Sequence, residues 1–253
     1  MIDFYTWTTP NGRKVSILLE ELGVDYEVHS INITQGDQNS PAFLKISPNN
    51  KIPAIIDHDN GMSLMESGAI LIYLAEKYGG FLPKDSIARA KVNEWLMWQM
   101  GGFGPILGQA HHFLHFNPGK SDYAEARFRN EVARLYSVLD RRLEGRDYIC
   151  DDYSIADMAC WPWVSRYEWQ QVNLADYPNV RSWYQRLLHA MQYKKAIIYQ
   201  NIWAKFHKAD RYFRQSAVPP INPMGRPLLP IIFVKLFCLC EPFITQRCKP
   251  SGS

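Results

Sequence analysis

The stretch Asn49-Asn50-Lys51-Ile52-Pro53-Ala54-Ile55-Ile56-Asp57, followed after a polar turn by Met65-Glu66-Ser67-Gly68-Ala69-Ile70-Leu71-Ile72-Tyr73-Leu74, decides the fold. Pro53 has no N–H to donate, so it belongs at the entry to the short apolar strand 53–56. Ser67 stands just before Ile70, Leu71, Leu74, Ala75 and Tyr78, a run of helical period, and is a natural first-turn or capping residue. A helix start offers unpaired N–H groups and a partial positive charge, which suit a carboxylate. Together the two elements would hold a peptide-like ligand, by backbone pairing at the proline and anion capture at the helix. Taken singly, Pro53 reads as a strand-edge proline and Ser67 as an ordinary N-cap. At this spacing, near the N-terminus, the pair reads as a site.

Working outward, Ile2–Tyr5 reads as a strand and Asn11–Leu22 as a helix, with Val15, Leu18, Leu19 and Leu22 on one face and Gly23 as its stop. Tyr26–Ile33 reads as a second strand and Pro41–Ile46 as a short helix. Pro53–Ile56 and Met62–Leu64 form a hairpin, and a helix runs from Ser67 to Gly79-Gly80. This β-α-β-α-β-β-α order is that of a thioredoxin-like α/β domain, with the first two strands parallel neighbours. After the linker 79–85 strand signals nearly vanish. Ile87–Phe116 and Tyr123–Leu143 read as long helices, the first kinked at Gly101-Gly102-Phe103-Gly104-Pro105. Ser154-Ile155-Ala156-Asp157 is a capping box, and Pro178–Met191 a final helix. The expected organisation is a thioredoxin-like domain over 1–79, an all-α domain over 87–203 and a basic, proline-rich tail over 204–253.

Composition narrows the function classes. The tail holds eight Lys and Arg against Asp210 and Glu241, net +6, so residues 1–203 carry −3 of the chain's overall +3. The body therefore has no nucleic-acid footprint. Pro219, Pro220, Pro223, Pro227 and Pro230 forbid a continuous helix in the tail. Its apolar stretch 228–240 is too short for a membrane span of ~20 residues. Low order, no membrane contact and no assigned role are expected there. No basic-then-apolar signal opens the chain, and five dispersed cysteines (150, 160, 238, 240, 248) suit a reducing compartment, so a cytoplasmic location is expected.

The Ile52-Pro53 and Glu66-Ser67 pairs, the domain order, and Ser154-Ile155-Ala156-Asp157-Met158-Ala159 before Trp161-Pro162-Trp163 together resemble the glutathione transferase family over residues 1–200. Thr9-Pro10-Asn11-Gly12, Ile46-Ser47-Pro48-Asn49-Asn50-Lys51 and the Gly101–Gln109 run are similar to its nu class, which are glutathione-dependent disulfide-bond oxidoreductases. The resemblance implies glutathione as co-substrate, no metal, and a homodimer. It implies that Thr9 and Asn11 contact the glutathione sulfur and that Ile52, before a cis Pro53, pairs with the cysteinyl backbone. Gln38 and Lys51 would hold polar groups, Glu66 and Ser67 the γ-glutamyl end, and Arg127 (less well Arg134) would reach the partner's site. Each has a plainer reading: Asn11 as helix N-cap, Lys51 as a solvated charge, either arginine as a solvated helix face.

The first 149 residues contain no cysteine, so no mixed disulfide with a protein thiol is available in the first domain. Tyr5 lies inside the strand and reads as structural, and Thr8 ranks below Thr9. Moving a thiol from ~8.5 to ~6.5 takes about 2.7 kcal/mol of preference for the thiolate. One hydrogen bond to a charged group contributes roughly 1.5–3 kcal/mol, so two aimed donors suffice. Reduction of small disulfides is the leading expectation. Conjugation of electrophiles or peroxide reduction, and a non-catalytic glutathione-binding module, are the alternatives. His111-His112-x-x-His115 has ligand spacing but lacks acidic or cysteine neighbours and reads as polar lining. Trp95, Trp98, Trp161 and Trp163 read as core, and Cys150 and Cys160 as free thiols.

Overall fold

The computed structural model describes residues 1–190. The end of the final helix at Met191, the domain limit at 203 and the tail 204–253 lie outside the described residues. Strand β1 (Ile2–Thr6) leads into α1 (Pro10–Leu22), β2 (Tyr26–Ser30), a 3-10 turn (Asp37–Asn39) and α2 (Pro41–Ile46), then β3 (Ala54–Asp57), β4 (Met62–Met65) and α3 (Ser67–Tyr78). The sheet order is β2-β1-β3-β4, with β1 parallel to β2 and the other pairings antiparallel. This is the thioredoxin-like arrangement. β2 stops at Ser30, three residues short of expectation, because the Asn32 side chain accepts the Thr34 N–H at 3.0 Å and turns the chain.

The register places three segments at one end of the sheet. Tyr5 in β1 faces Ala54 in β3, and Ala54 faces Met65 in β4. The loop leaving β1, the residues entering β3 and the junction from β4 into α3 are therefore neighbours. Val15, Leu18 and Leu19 of α1 are buried, as are Ile70, Leu71 and Leu74 of α3. Each fully buried aliphatic side chain contributes about 1.5–3 kcal/mol relative to exposure.

The following region is helical: α4 (Ser86–Trp98), α5 (Gly104–Ala110), α6 (Asp122–Arg142), α7 (Ile155–Val164) and α8, which starts at residue 178. α4 and α5 are joined by a π-helical turn over Gln99–Phe103, and a second π turn follows over His111–Phe116. The expected kink at the Gly/Pro run is thus a widened turn, in which Gly104 N–H reaches back to Gln99 O. The capping box forms: Asp157 accepts the Ser154 N–H at 3.1 Å. The same carboxylate accepts Ile149 N–H and Trp183 Nε1–H, tying the preceding loop and α8 to α7. α1 packs on both α3 and α7, so the α/β and helical regions share one continuous core.

Candidate functional site

Thr9 caps α1. Its backbone is extended and its Oγ1 accepts the Gly12 N–H at 3.3 Å, with Pro10 opening the helix. This corrects the reading of Asn11 as the cap, because Pro10 already has helical geometry and pushes the cap back two residues, to Thr9. A capping hydroxyl uses a lone pair and keeps its own proton for another acceptor. Asn11 sits in the first helical turn, and its Oδ1 accepts the Trp163 Nε1–H of α7 at 3.2 Å. Indole nitrogen can only donate, so the amide is turned with Nδ2, a donor, at its other end. Trp163 is itself fixed by Gln170, whose Nε2 donates to the Trp163 carbonyl at 2.9 Å and lies 3.0 Å from His111 Nε2. That contact requires His111 Nε2 to accept; burial, then the charges of Arg166 and His115, pull this histidine down to about 4, leaving it neutral. Thr8 is exposed.

The Ile52–Pro53 bond is cis, with Ile52 half-buried and Pro53 buried. Ser47 Oγ donates to the Lys51 carbonyl at 2.8 Å, and Asn50 Nδ2 donates to Asn39 Oδ1 at 2.9 Å, drawing the 37–39 turn against this segment. Gln38 Oε1, in that turn, is buried and accepts no hydrogen bond among the described residues. Lys51 is exposed. At the start of α3, Glu66 is exposed and held at φ 71°, ψ 111°, a conformation that costs a non-glycine residue about 1–3 kcal/mol and concentrates at functional sites. Ser67 is the first residue of α3 and is buried.

Thr9, Asn11, Ile52, Pro53, Glu66 and Ser67 are thus carried on the three segments that the sheet register brings to one end. Arg127 stands apart, exposed on α6, and Arg134 forms a two-pronged pair with Glu131. Tyr5 is half-buried and stacks on His29 with ring centroids 4.6 Å apart. Burial, with Asp3 and Glu27, raises its hydroxyl, which disfavours a phenolate. The three histidines do not act as one cluster: His111 is buried, while His112 and His115 are exposed and His115 stacks on Trp169. Cys150 and Cys160 are free and buried, and burial raises both thiols.

Sequence reasoning missed three residues beneath the site. Lys14 is 1% exposed, on the core face of α1, and donates to Gln99 Oε1 at 2.7 Å, Ser67 Oγ at 3.4 Å and Met100 Sδ at 3.7 Å. Burial pulls its amine down to about 7, against an opposing pull from Cys160 and Glu66. Gln99, from the π turn, is fully buried. Trp163 passed as core. A signal for Lys14 existed: it lies four residues before Leu18, within the apolar stripe of α1.

Residues 2–76 match the family described as glutathione S-transferase, N-terminal domain, and residues 103–190 match glutathione S-transferase, C-terminal domain. The chain is 51% identical over 193 residues to the disulfide-bond oxidoreductase YfcG of Escherichia coli, spanning 74% of this chain and 90% of the relative. A Pseudomonas putida glutathione transferase, solved with one glutathione disulfide bound per subunit, superposes with a TM-score of 0.70 at 44% identity, over 74% of this chain and 86% of its own. A Burkholderia graminis glutathione transferase, solved with two glutathione molecules per subunit, gives 0.69 at 43% identity, over 73% and 82%.

Proposed function

The chain belongs to the glutathione S-transferase family, and from that premise we propose that it reduces small disulfides with glutathione, using Thr9 and Asn11 to hold the glutathione sulfur as a thiolate. The observation that carries this reading is the pair of donors at the start of α1. The Thr9 hydroxyl proton is left over from capping, and the Asn11 amide is turned by Trp163 so that Nδ2 is its free end. Two such bonds, at roughly 1.5–3 kcal/mol each, cover a two-unit drop in thiol pKa. Ile52 would pair with the cysteinyl backbone, Glu66 and Ser67 would take the γ-glutamyl end, and Gln38 and Lys51 the remaining polar groups. The unsatisfied Gln38 Oε1 is an acceptor waiting for a donor. Arg127, exposed on α6, is the residue offered to the neighbouring site in a homodimer.

The chemistry balances without a protein sulfur. One glutathione thiolate attacks a disulfide, forming a mixed disulfide and expelling one substrate thiolate. A second glutathione thiolate attacks the glutathione-side sulfur, and glutathione disulfide and the second substrate thiolate leave. Two glutathione thiols are oxidised and one substrate disulfide is reduced, with two protons taken up by the departing thiolates. Burial of Cys150 and Cys160 supports this route over one through either of them.

The test is a disulfide-exchange assay with a hydroxyethyl disulfide, run beside a titration of the bound glutathione thiol. Thr9→Ala and Asn11→Ala should each lower turnover roughly 10–100-fold and raise the thiol pKa by about 1–2 units. Unchanged turnover and acidity in the double variant would overturn the assignment. Turnover on aryl halides exceeding that on disulfides would move the reading to conjugation.

A further inference from the structure

Lys14 is a buried ionisable group that the reaction above leaves unused. Its nitrogen faces an amide oxygen, a hydroxyl and a thioether, while Glu66, the carboxylate acting on it, lies at the exposed junction before α3. An ammonium has three donors and no acceptor; a neutral amine has two donors and one lone pair. The protonation state of Lys14 therefore biases where the Ser67 hydroxyl proton points: only the neutral amine offers it a nitrogen lone pair, and the ammonium has a third N–H to donate to Ser67 Oγ. Beside a neutral amine, Ser67 can turn its O–H inward, to the amine lone pair or to Met100 Sδ at 3.7 Å. Beside an ammonium, Ser67 Oγ accepts, and its O–H is free for whatever stands at the α3 N-terminus.

A carboxylate arriving at that N-terminus changes the balance. Without it, burying an ammonium against neutral acceptors is costly, and Lys14 sits near neutrality at about 7. With it, a negative charge stands across Ser67 from the amine and favours the charged form. We propose that seating of the γ-glutamyl carboxylate on Ser67 is coupled to uptake of one solvent proton by Lys14, which then acts as a positioning residue holding the Ser67 hydroxyl as donor to that carboxylate. The inference rests on the glutathione reading of Ser67 given above. The other groups facing Lys14 do not compete for the proton. Ser67, Gln99 and Met100 do not titrate in this range, the Cys160 thiol of α7 is held protonated by burial, and Asp157 of α7, raised by burial to about 6, is already ionised at pH 8. Glu66 carries the exposed carboxylate at the junction.

Calorimetric titration of the full chain at pH 8 tests the coupling, using S-methylglutathione, which has no thiol to ionise, in buffers of different ionisation enthalpy. Uptake of roughly 0.8 proton per ligand is expected, because an amine near 7 is about nine-tenths neutral at that pH. N-acetyl-S-methylcysteinylglycine, which lacks the γ-glutamyl unit and has no free amine, should bind with no uptake. Lys14→Met should abolish uptake and weaken S-methylglutathione about tenfold, leaving the dipeptide unaffected. If that variant does not fold, Lys14→Gln, which keeps a donor for Gln99 and cannot be protonated, is read the same way. Binding of S-methylglutathione without proton uptake by the unaltered chain, or uptake that survives in the Lys14 variant, overturns the coupling alone. A chain that binds neither ligand overturns the glutathione reading and the coupling together.

Discussion

Asn11 owes its chemical orientation to a residue 152 positions away. The Trp163 indole N–H holds Oδ1, so the amide presents Nδ2, a donor, at its other end; in the proposed site a carbonyl there would repel a thiolate. Trp163→Phe removes that N–H and keeps a ring to stack on His111, whose centroid lies 5.6 Å from the indole. The expected result is a bound thiol less acidic by up to about 1 unit, or ~1.4 kcal/mol, with little change in glutathione affinity. Ultraviolet titration of the thiolate reads this directly, and an unaltered titration curve would show that the indole does not set the amide. Thr9 and Asn11 were legible in the sequence as donors in the loop that leads from β1 into α1. Which of them caps the helix was not, because that depends on where Pro10 starts the helical backbone.

At the scale of the element, α1 is placed by a close approach. A Cβ on Gly12 would lie 2.3 Å from Thr6 Oγ1 and 2.6 Å from the Trp7 carbonyl, so the first turn of α1 presses on the loop that leaves β1. Helix propensity alone would make Gly12→Ala favourable by about 1 kcal/mol. The clash reverses the sign: a loss of about 1–3 kcal/mol in chemical denaturation is expected, with a larger loss of glutathione affinity because Thr9 and Asn11 are displaced. Gly101→Ala supplies the contrast, since nothing lies within 4 Å of its added carbon; it should be neutral or slightly stabilising. Equal effects at both glycines would refute the close-approach argument. Glycine and proline content announced an irregularity at 101–105, and the packed structure made it a π turn that places Gln99 Oε1 on Lys14.

For the whole molecule, pH dependence follows from two buried carboxylates shifted in opposite directions. Burial would raise Asp57, but bonds from Lys77, Tyr73 and the Asp59 N–H more than offset it and bring it down to about 2. Its contribution is present above ~4 and is lost as pH falls toward 2. Burial pushes Asp157 up to about 6 despite bonds from Ile149, Trp183 and Ser154. The folded state therefore binds its proton more readily than the unfolded chain, and stability falls as pH rises from ~4 through 6. Denaturation of the unaltered chain and Asp157→Asn at pH 4.5 and 7 should show the difference between them shrinking by on the order of 2 kcal/mol at the higher pH. A pH-independent difference would mean that Asp157 stays ionised throughout. Element order, the Ser154–Asp157 box, Pro53 at the entry to β3 and Ser67 at the start of α3 could be read from sequence alone, because periodicity, capping and turn chemistry act over a few residues. Lys14 beneath Ser67, Gln99 beside Lys14 and Trp163 on Asn11 were decided by tertiary structure alone. They join residues 53 to 152 positions apart, and only their burial together determines which group donates, which accepts and which carries the proton.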